Sequence, residues 1–171
     1  MSLYTRRTVL RQLSAFAALL PFATKADAPK QPPVPPLRKT PEEWRALLEP
    51  ARYAILFEEG TERPHSSPLD REKRDGVYLC AACFLPLFSS QAKYDSGTGW
   101  PSFFEALPGR IGTKTDFKIF FPRTEYHCIR CGGHQGHVFD DGPPPTGKRY
   151  CNNGLALIFV PESEALPELR S

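Results

Sequence analysis

Tyr126-His127-Cys128-Ile129-Arg130-Cys131-Gly132-Gly133-His134-Gln135-Gly136-His137-Val138-Phe139 is the stretch that decides the fold. Tyr126–His127 and His137–Phe139 read as short strands, and a Cys-x-x-Cys pair with two following glycines joins them. Gly132 and Gly133 suit the tight turn of a knuckle, in which backbone amides point at thiolates. Upstream, beyond 44 intervening residues, Cys80-Ala81-Ala82-Cys83 repeats the motif after another strand, Val77–Leu79. Two such knuckles brought together form a tetrahedral four-thiolate site of the kind zinc prefers. Four thiolates leave no position for water or substrate, so one zinc held by Cys80, Cys83, Cys128 and Cys131 would be structural. Disulfides, if the chain is exported, and a redox Cys-x-x-Cys are the competing readings.

Farther out, Pro86–Phe88, Phe117–Phe121 and Leu155–Val160 add short strands, with irregular loops at Lys93–Pro101 and Asp140–Lys148. Thr40-Pro41-Glu42-Glu43 carries an N-cap hydroxyl, a proline in the first turn and a glutamate three residues after the cap, which opens a helix from Pro41 to about Glu49. Pro50 restarts a second through Phe57, with Gly60 as its stop. The body is helical at its start and β thereafter.

The 171 residues suit one globular domain. Six of the 19 prolines fall between Pro29 and Pro41, a stiff linker over 29–39. Residues 1–39 carry a net charge of +6 and residues 40–171 one of −3. A mildly acidic body has no excess cations to replace phosphate counterions, which argues against nucleic acid as partner. Residues 1–28 run from a basic start with Arg6-Arg7 through an apolar stretch, Leu13 to Phe22, to small residues, the order of an export signal. About ten apolar residues are too few to span a bilayer. The paired arginines resemble the twin-arginine signal that exports folded proteins; an ordinary secretory signal is the alternative. Either reading places the mature chain outside the cytoplasm, in the bacterial periplasm or beyond. Twin-arginine export would let zinc load in the reducing cytoplasm. No membrane span is expected after export, and a monomer is expected.

The fifth cysteine, Cys151, has no spacing partner. A lone cysteine is commonly a small buried hydrophobe, but Arg149, two residues away on an extended chain, lies on its side and is expected to lower the thiol pKa. Asn153 shares that side and can donate a hydrogen bond. His134 and His137 are two of only four histidines; they could be metal ligands, surface residues, or general acids oriented by a carboxylate such as Asp141. In Gly99-Trp100-Pro101-Ser102-Phe103-Phe104, the aromatics belong to a core or wall a pocket for a methyl group.

Taken together, Cys80/Cys83, Gly99–Phe103, Cys128–Gly132, His134–Phe139, Asp141–Pro143 and Arg149–Asn153 resemble, in order, the motifs of the B-type methionine sulfoxide reductases. The resemblance covers about residues 40–162, leaving 163–171 as a tail. It implies a mainly β fold, two antiparallel sheets with short N-terminal helices and a structural zinc knuckle distant from the active site. It also implies reduction of methionine-R-sulfoxide, in oxidised proteins or free. By position, Cys151 would be the nucleophile, His134 and His137 the pair around the sulfoxide oxygen, Trp100 and Phe103 the substrate-binding residues, and Asp141, Arg149 and Asn153 tuning or orienting groups. Thr98 stands where many relatives carry a resolving cysteine, and Asn152 and Gly154 depart from the residues common around the family's cysteine. With the other four cysteines on zinc, Cys151 must be recycled by an external thiol, a small one or that of a thioredoxin-like protein. The competing class is an exported zinc-knuckle binding module with an inert Cys151.

Overall fold

Thr40 and Glu43 cap each other's backbone amides at the first helix, α1 (Pro41–Leu47), which removes two unpaired donors from its start. The second helix, α2 (Pro50–Phe57), begins at Pro50, because a proline disfavours helical geometry in the residue before it. Trp44 of α1 stacks on Phe57 of α2 with ring centroids 4.8 Å apart. The computed structural model describes residues 34–118 and 121–171; the export signal expected over 1–28 lies outside them, as does the first part of the linker. Among the described residues no helix is long and apolar enough to cross a membrane.

After the helices come β1 (Gly76–Cys80), β2 (Pro86–Ser89), β3 (Lys93–Tyr94), β4 (Ser102–Phe103), β5 (Ile111–Asp116), β6 (Arg123–Cys128), β7 (His134–Phe139), β8 (Arg149–Asn152) and β9 (Leu157–Pro161). They form two antiparallel sheets, one ordered β2-β1-β9 and one ordered β3-β4-β8-β7-β6-β5. The architecture is mainly β, with short N-terminal helices.

Aromatic side chains join the sheets. Phe103 of the large sheet stacks on Phe88 of the small one at 4.2 Å and meets Tyr78 edge-on at 4.9 Å; Tyr126 and Tyr150 extend the cluster. The Phe103 side chain is fully buried there. Expected as part of a substrate pocket, it belongs to the core instead, because alternation along β4 turns it away from the face that carries Ser102. Arg52 of α2 donates to the carbonyls of Leu155 and Leu157 at 2.8 and 3.1 Å, tying helix to sheet.

The strand expected over Phe117–Phe121 is absent at Phe117, Lys118 and Phe121, while residues 119 and 120 lie outside the described residues. β5 ends at Asp116, whose carboxylate accepts the Lys118 amide at 2.8 Å, and this local turn takes the chain out of the ladder. Phe117 and Phe121 are exposed. The last strand starts at Leu157, two residues later than expected, after a 3₁₀ turn at Gly154–Ala156. Segments on either side of the sheets reach the knuckle: Leu37, ahead of α1, donates to the Arg130 carbonyl at 2.7 Å, and in the tail Arg170 donates to the Cys83 carbonyl at 3.2 Å.

Truncation of Phe103 to alanine removes the centre of the aromatic cluster. It should cost about 3–5 kcal/mol in urea unfolding, as for other buried phenylalanines. A loss of under about 1 kcal/mol would place the ring outside the core.

Candidate active site

Two clusters of chemistry-bearing side chains stand out, one beside the start of β7 and one farther along it. At its N-terminal end lies the knuckle. One ligand atom from each of Cys80, Cys83, Cys128 and Cys131 falls within 4.8 Å of all the others, with Cys80 3.6 Å from Cys131 and Cys83 3.5 Å from Cys128. A disulfide needs about 2.05 Å, whereas sulfurs set tetrahedrally about 2.3 Å from a zinc lie about 3.8 Å apart. The spacing therefore fits a shared metal. The surroundings fit too: burial drives the Cys80 thiol up, and neighbouring sulfurs drive Cys131 up and Cys83 down, as sulfurs competing for charge do, and a cation among them would favour the thiolate form of all four. Gln135 directs its amide at the Cys80 sulfur at 3.6 Å, and Arg130 binds the Cys83 carbonyl at 3.2 Å. The donor set is one that could hold zinc.

The other cluster lines a pocket of about 200 Å³ that includes Cys151, His137, Trp100, Arg149, Thr98 and Asn153. Its centre is the β7–β8 ladder, in which His137 faces Cys151 directly. The strands approach so closely that a Cβ on Gly136 would lie 1.9 Å from the Cys151 carbonyl oxygen; only glycine leaves room for this pairing.

Four expectations are corrected by this geometry. Asp141 does not orient a histidine: it forms a two-pronged pair with Arg149, both contacts 2.8 Å, with the guanidinium 4.3 Å above the Phe139 ring. The carboxylate at His137 is Asp116, 2.7 Å from Nε2 and also 2.7 Å from Arg123. Second, His134 is not among the pocket-lining residues. It is buried behind His137 with ring centroids 5.6 Å apart, its Nδ1 2.9 Å from Glu125 but out of line for a hydrogen bond. Third, burial pushes the Cys151 thiol up and outweighs Arg149 and the Thr98 hydroxyl, which pull it down. The resting side chain is a neutral thiol. Fourth, the Asn153 side chain braces the backbone, donating to the Gln135 carbonyl at 3.1 Å and accepting the Glu62 amide at 3.1 Å.

His137 is neutral as well. Burial holds its pKa below the ordinary value, against the pull of Asp116. The Lys118 amide, His137 and Arg123 keep Asp116 ionised, with its pKa well below the usual carboxylate range. An ionised carboxylate only accepts, so Nε2 donates to Asp116 and Nδ1 is the ring's basic atom.

Asp116, Arg123 and Glu62 were not singled out in the sequence. Glu62 is buried; its carboxylate accepts the Gly154 and Leu155 amides at 2.6 and 2.9 Å, and its carbonyl accepts the Trp100 indole at 3.1 Å. It holds one pocket wall against the turn that follows Cys151. A Cβ on Gly154 would come within 2.0 Å of the Ser67 hydroxyl, so glycine there is a packing requirement. Asn152 points into the interior and accepts the Tyr126 hydroxyl at 2.6 Å. None of these contacts has a local sequence signature.

Residues 48–161 match the SelR domain family. The chain is 51% identical over 129 residues to the peptide methionine sulfoxide reductase MsrB of Methanosarcina barkeri, covering 75% of this chain and 91% of that one. It is 50% identical over 128 residues to the enzyme of that name from Agrobacterium fabrum, covering 74% and 95%. With the same-named protein of Thiobacillus denitrificans the identity is 54% over 125 residues, covering 72% and 95%. The chain therefore belongs to the SelR domain family, that of the B-type methionine sulfoxide reductases.

Proposed function

We propose that this oxidoreductase reduces methionine-R-sulfoxide with Cys151 as the attacking group. The observation that carries the reading is the meeting of Cys151, His137 and Trp100 in one pocket of about 200 Å³, room for the end of one side chain, where an aromatic wall suits a methyl group. A binding module with an inert cysteine has no use for this convergence.

A sulfoxide carries partial positive charge on sulfur and negative charge on oxygen. Cys151 passes its proton to the basic nitrogen of His137, its partner across the ladder. The thiolate attacks the substrate sulfur, and the imidazolium, steadied by Asp116, returns the proton to the oxygen. That oxygen ends on Cys151 as a sulfenic acid, and the substrate leaves as a thioether. The substrate sulfur gains two electrons and Cys151 loses two. Arg149 favours the thiolate once it forms.

Thr98 offers no thiol, and the other four cysteines are gathered at the knuckle. An external thiol therefore attacks the sulfenic acid, releasing water and leaving a mixed disulfide that a second thiol opens. Cys80, Cys83, Cys128 and Cys131 would hold one zinc, whose chemistry there is structural: it ties the turn after β1 to the β6–β7 turn.

The purified protein should reduce the R epimer of a methionine sulfoxide peptide under dithiothreitol and spare the S epimer. Cys151→Ser should abolish turnover, and His137→Ala should slow it about a hundredfold or more. An active Cys151→Ser variant overturns the assignment. After one turnover without reductant, mass spectrometry should find Cys151 about 16 Da heavier and trapped by dimedone; a disulfide from Cys151 to a knuckle cysteine would instead make that cysteine the resolver.

The pH dependence follows from the two neutral partners. The reaction needs one proton shared between Cys151 and His137. Activity is lost in acid when His137 gains a second, and in base when Cys151 loses the only one. Single-turnover rates should therefore form a plateau, with an acid limb below the ordinary histidine value of 6.5 and a basic limb above the ordinary thiol value of 9.0. Arg149→Ala should move the basic limb upward.

Elemental analysis should give about one zinc per chain, and Cys131→Ser should lower both zinc retention and stability together. Two disulfides in the folded protein would rule the metal out.

A further inference from the structure

A run of hydroxyl groups that the reaction above does not use reaches the reactive sulfur. Thr98 and Cys151 line the same pocket, and the Thr98 hydroxyl acts on the thiol, pulling it down against burial. From Thr98 the run continues to Ser96 at 2.8 Å and from Ser96 to Ser102 at 2.7 Å. Ser102 donates in turn to the Trp100 carbonyl at 3.1 Å. Ser102 is fully buried and stands opposite Cys151 in the β4–β8 ladder, so the run starts and finishes beside one residue.

Each hydroxyl has a single proton, which fixes the direction of the chain. The proton of Ser102 is given to the Trp100 carbonyl. Ser102 therefore accepts from Ser96, Ser96 accepts from Thr98, and Thr98 is left facing the sulfur with a lone pair, as an acceptor for the S–H. Rotation of the three hydroxyls reverses the order: Ser102 donates to Ser96, Ser96 to Thr98 and Thr98 to the sulfur. No heavy atom moves. The reversed chain gives up the bond to the Trp100 carbonyl and gains a charge-assisted bond to a thiolate, the stronger kind.

We propose that Thr98, Ser96 and Ser102 form a reversible hydroxyl chain in which Thr98 is a further catalytic residue, accepting from the Cys151 thiol at rest and donating to its thiolate during attack, while the two serines position it. The proposal rests on the reductase reading for where the thiol proton goes; the chain itself belongs to the free protein. The other titratable or charged groups close enough to act on the sulfur are Arg149 on its own strand, Asp141 from the preceding loop, His137 across the ladder, Tyr94 from β3 and, through the sheet, Tyr126 from β6.

Counting bonds gives the chain a signature that independent polar groups lack. Loss of the Thr98 hydroxyl removes a weak S–H bond and one neutral bond from the resting order, and from the reversed order the charge-assisted bond to the thiolate, the stronger kind, so it favours the thiol. Loss of the Ser96 hydroxyl removes two bonds from the resting order but a net one from the reversed order, since Ser102 then keeps the Trp100 carbonyl in both. It must favour the thiolate. The two substitutions should shift Cys151 in opposite directions.

The test is the rate of Cys151 alkylation by iodoacetamide against pH, measured on the full zinc-loaded chain with the modified residue identified by mass spectrometry. Thr98→Val should raise the midpoint by about one pH unit, with alkylation near pH 7 about tenfold slower. Thr98→Ser should keep the original midpoint, and Ser96→Ala should lower it by about half a pH unit. An unchanged midpoint in Thr98→Val, or an upward or absent shift in Ser96→Ala, overturns the chain. Because alkylation needs no sulfoxide, failure of the reductase reading would show separately, as wild-type protein with the expected profile and no reduction of either epimer.

Discussion

The close antiparallel approach of β7 and β8 is the contact on which the site depends. Gly136 carries no Cβ, and one placed there would overlap the Cys151 carbonyl oxygen at 1.9 Å. The absence of that single carbon lets the ladder run through Asn152, Cys151 and Tyr150, and so sets His137 opposite Cys151. A one-residue slip would send every side chain of the strand to the opposite face, placing Cys151 among the core aromatics and Tyr150 in the pocket. Both β7 and β8 carry site residues on one face and core residues on the other, so the hydrophobic core enforces the register that the chemistry requires.

Within that frame, burial competes with charge. A guanidinium near a thiol favours the thiolate, and Arg149 is near, but its charge is shared with Asp141 through two short contacts, and the sulfur lies where water is scarce. Desolvation wins. His137 obeys the same balance: the Asp116 carboxylate supports its charged form, and burial opposes it more strongly. Two neutral partners facing each other contain the same proton count as a thiolate and an imidazolium, so the ion pair needs no proton from solvent. The reactive state can arise when substrate displaces the remaining water and offers its oxygen as a proton acceptor.

The knuckle and the pocket are separate sites joined by few bonds. Gln135 is fully buried between them, its amide on the Cys80 sulfur and its carbonyl accepting both the backbone and side-chain N–H groups of Asn153. Glu62 works from the opposite side, binding the turn after Cys151 and the Trp100 indole. Such residues do no chemistry in the proposed reaction. They fix where the reacting groups stand, a requirement when misplacement by about 1 Å can cost a hundredfold in rate.

Much of this was legible in the chain itself. The two Cys-x-x-Cys pairs, the capping box at Thr40 and Glu43, the proline that restarts the second helix and the short apolar runs all act over a few residues. Local spacing was therefore enough to read a four-sulfur cluster, two helices and a β body. It also drew attention to Cys151, His137 and Trp100 as candidates. Phe103 looked equally eligible, because a motif does not say which face of a two-residue strand turns inward. Asp116 and Glu62 could not be found this way, since Asp116 meets His137 across 21 residues of chain and Glu62 meets the turn at 153–155 across 91 or more, and tertiary folding alone brings them together. The protonation state of Cys151 lay further out of reach. Sequence supplied the neighbouring arginine, whereas the depth of burial, which decides between thiol and thiolate, is a property of the packed sheets.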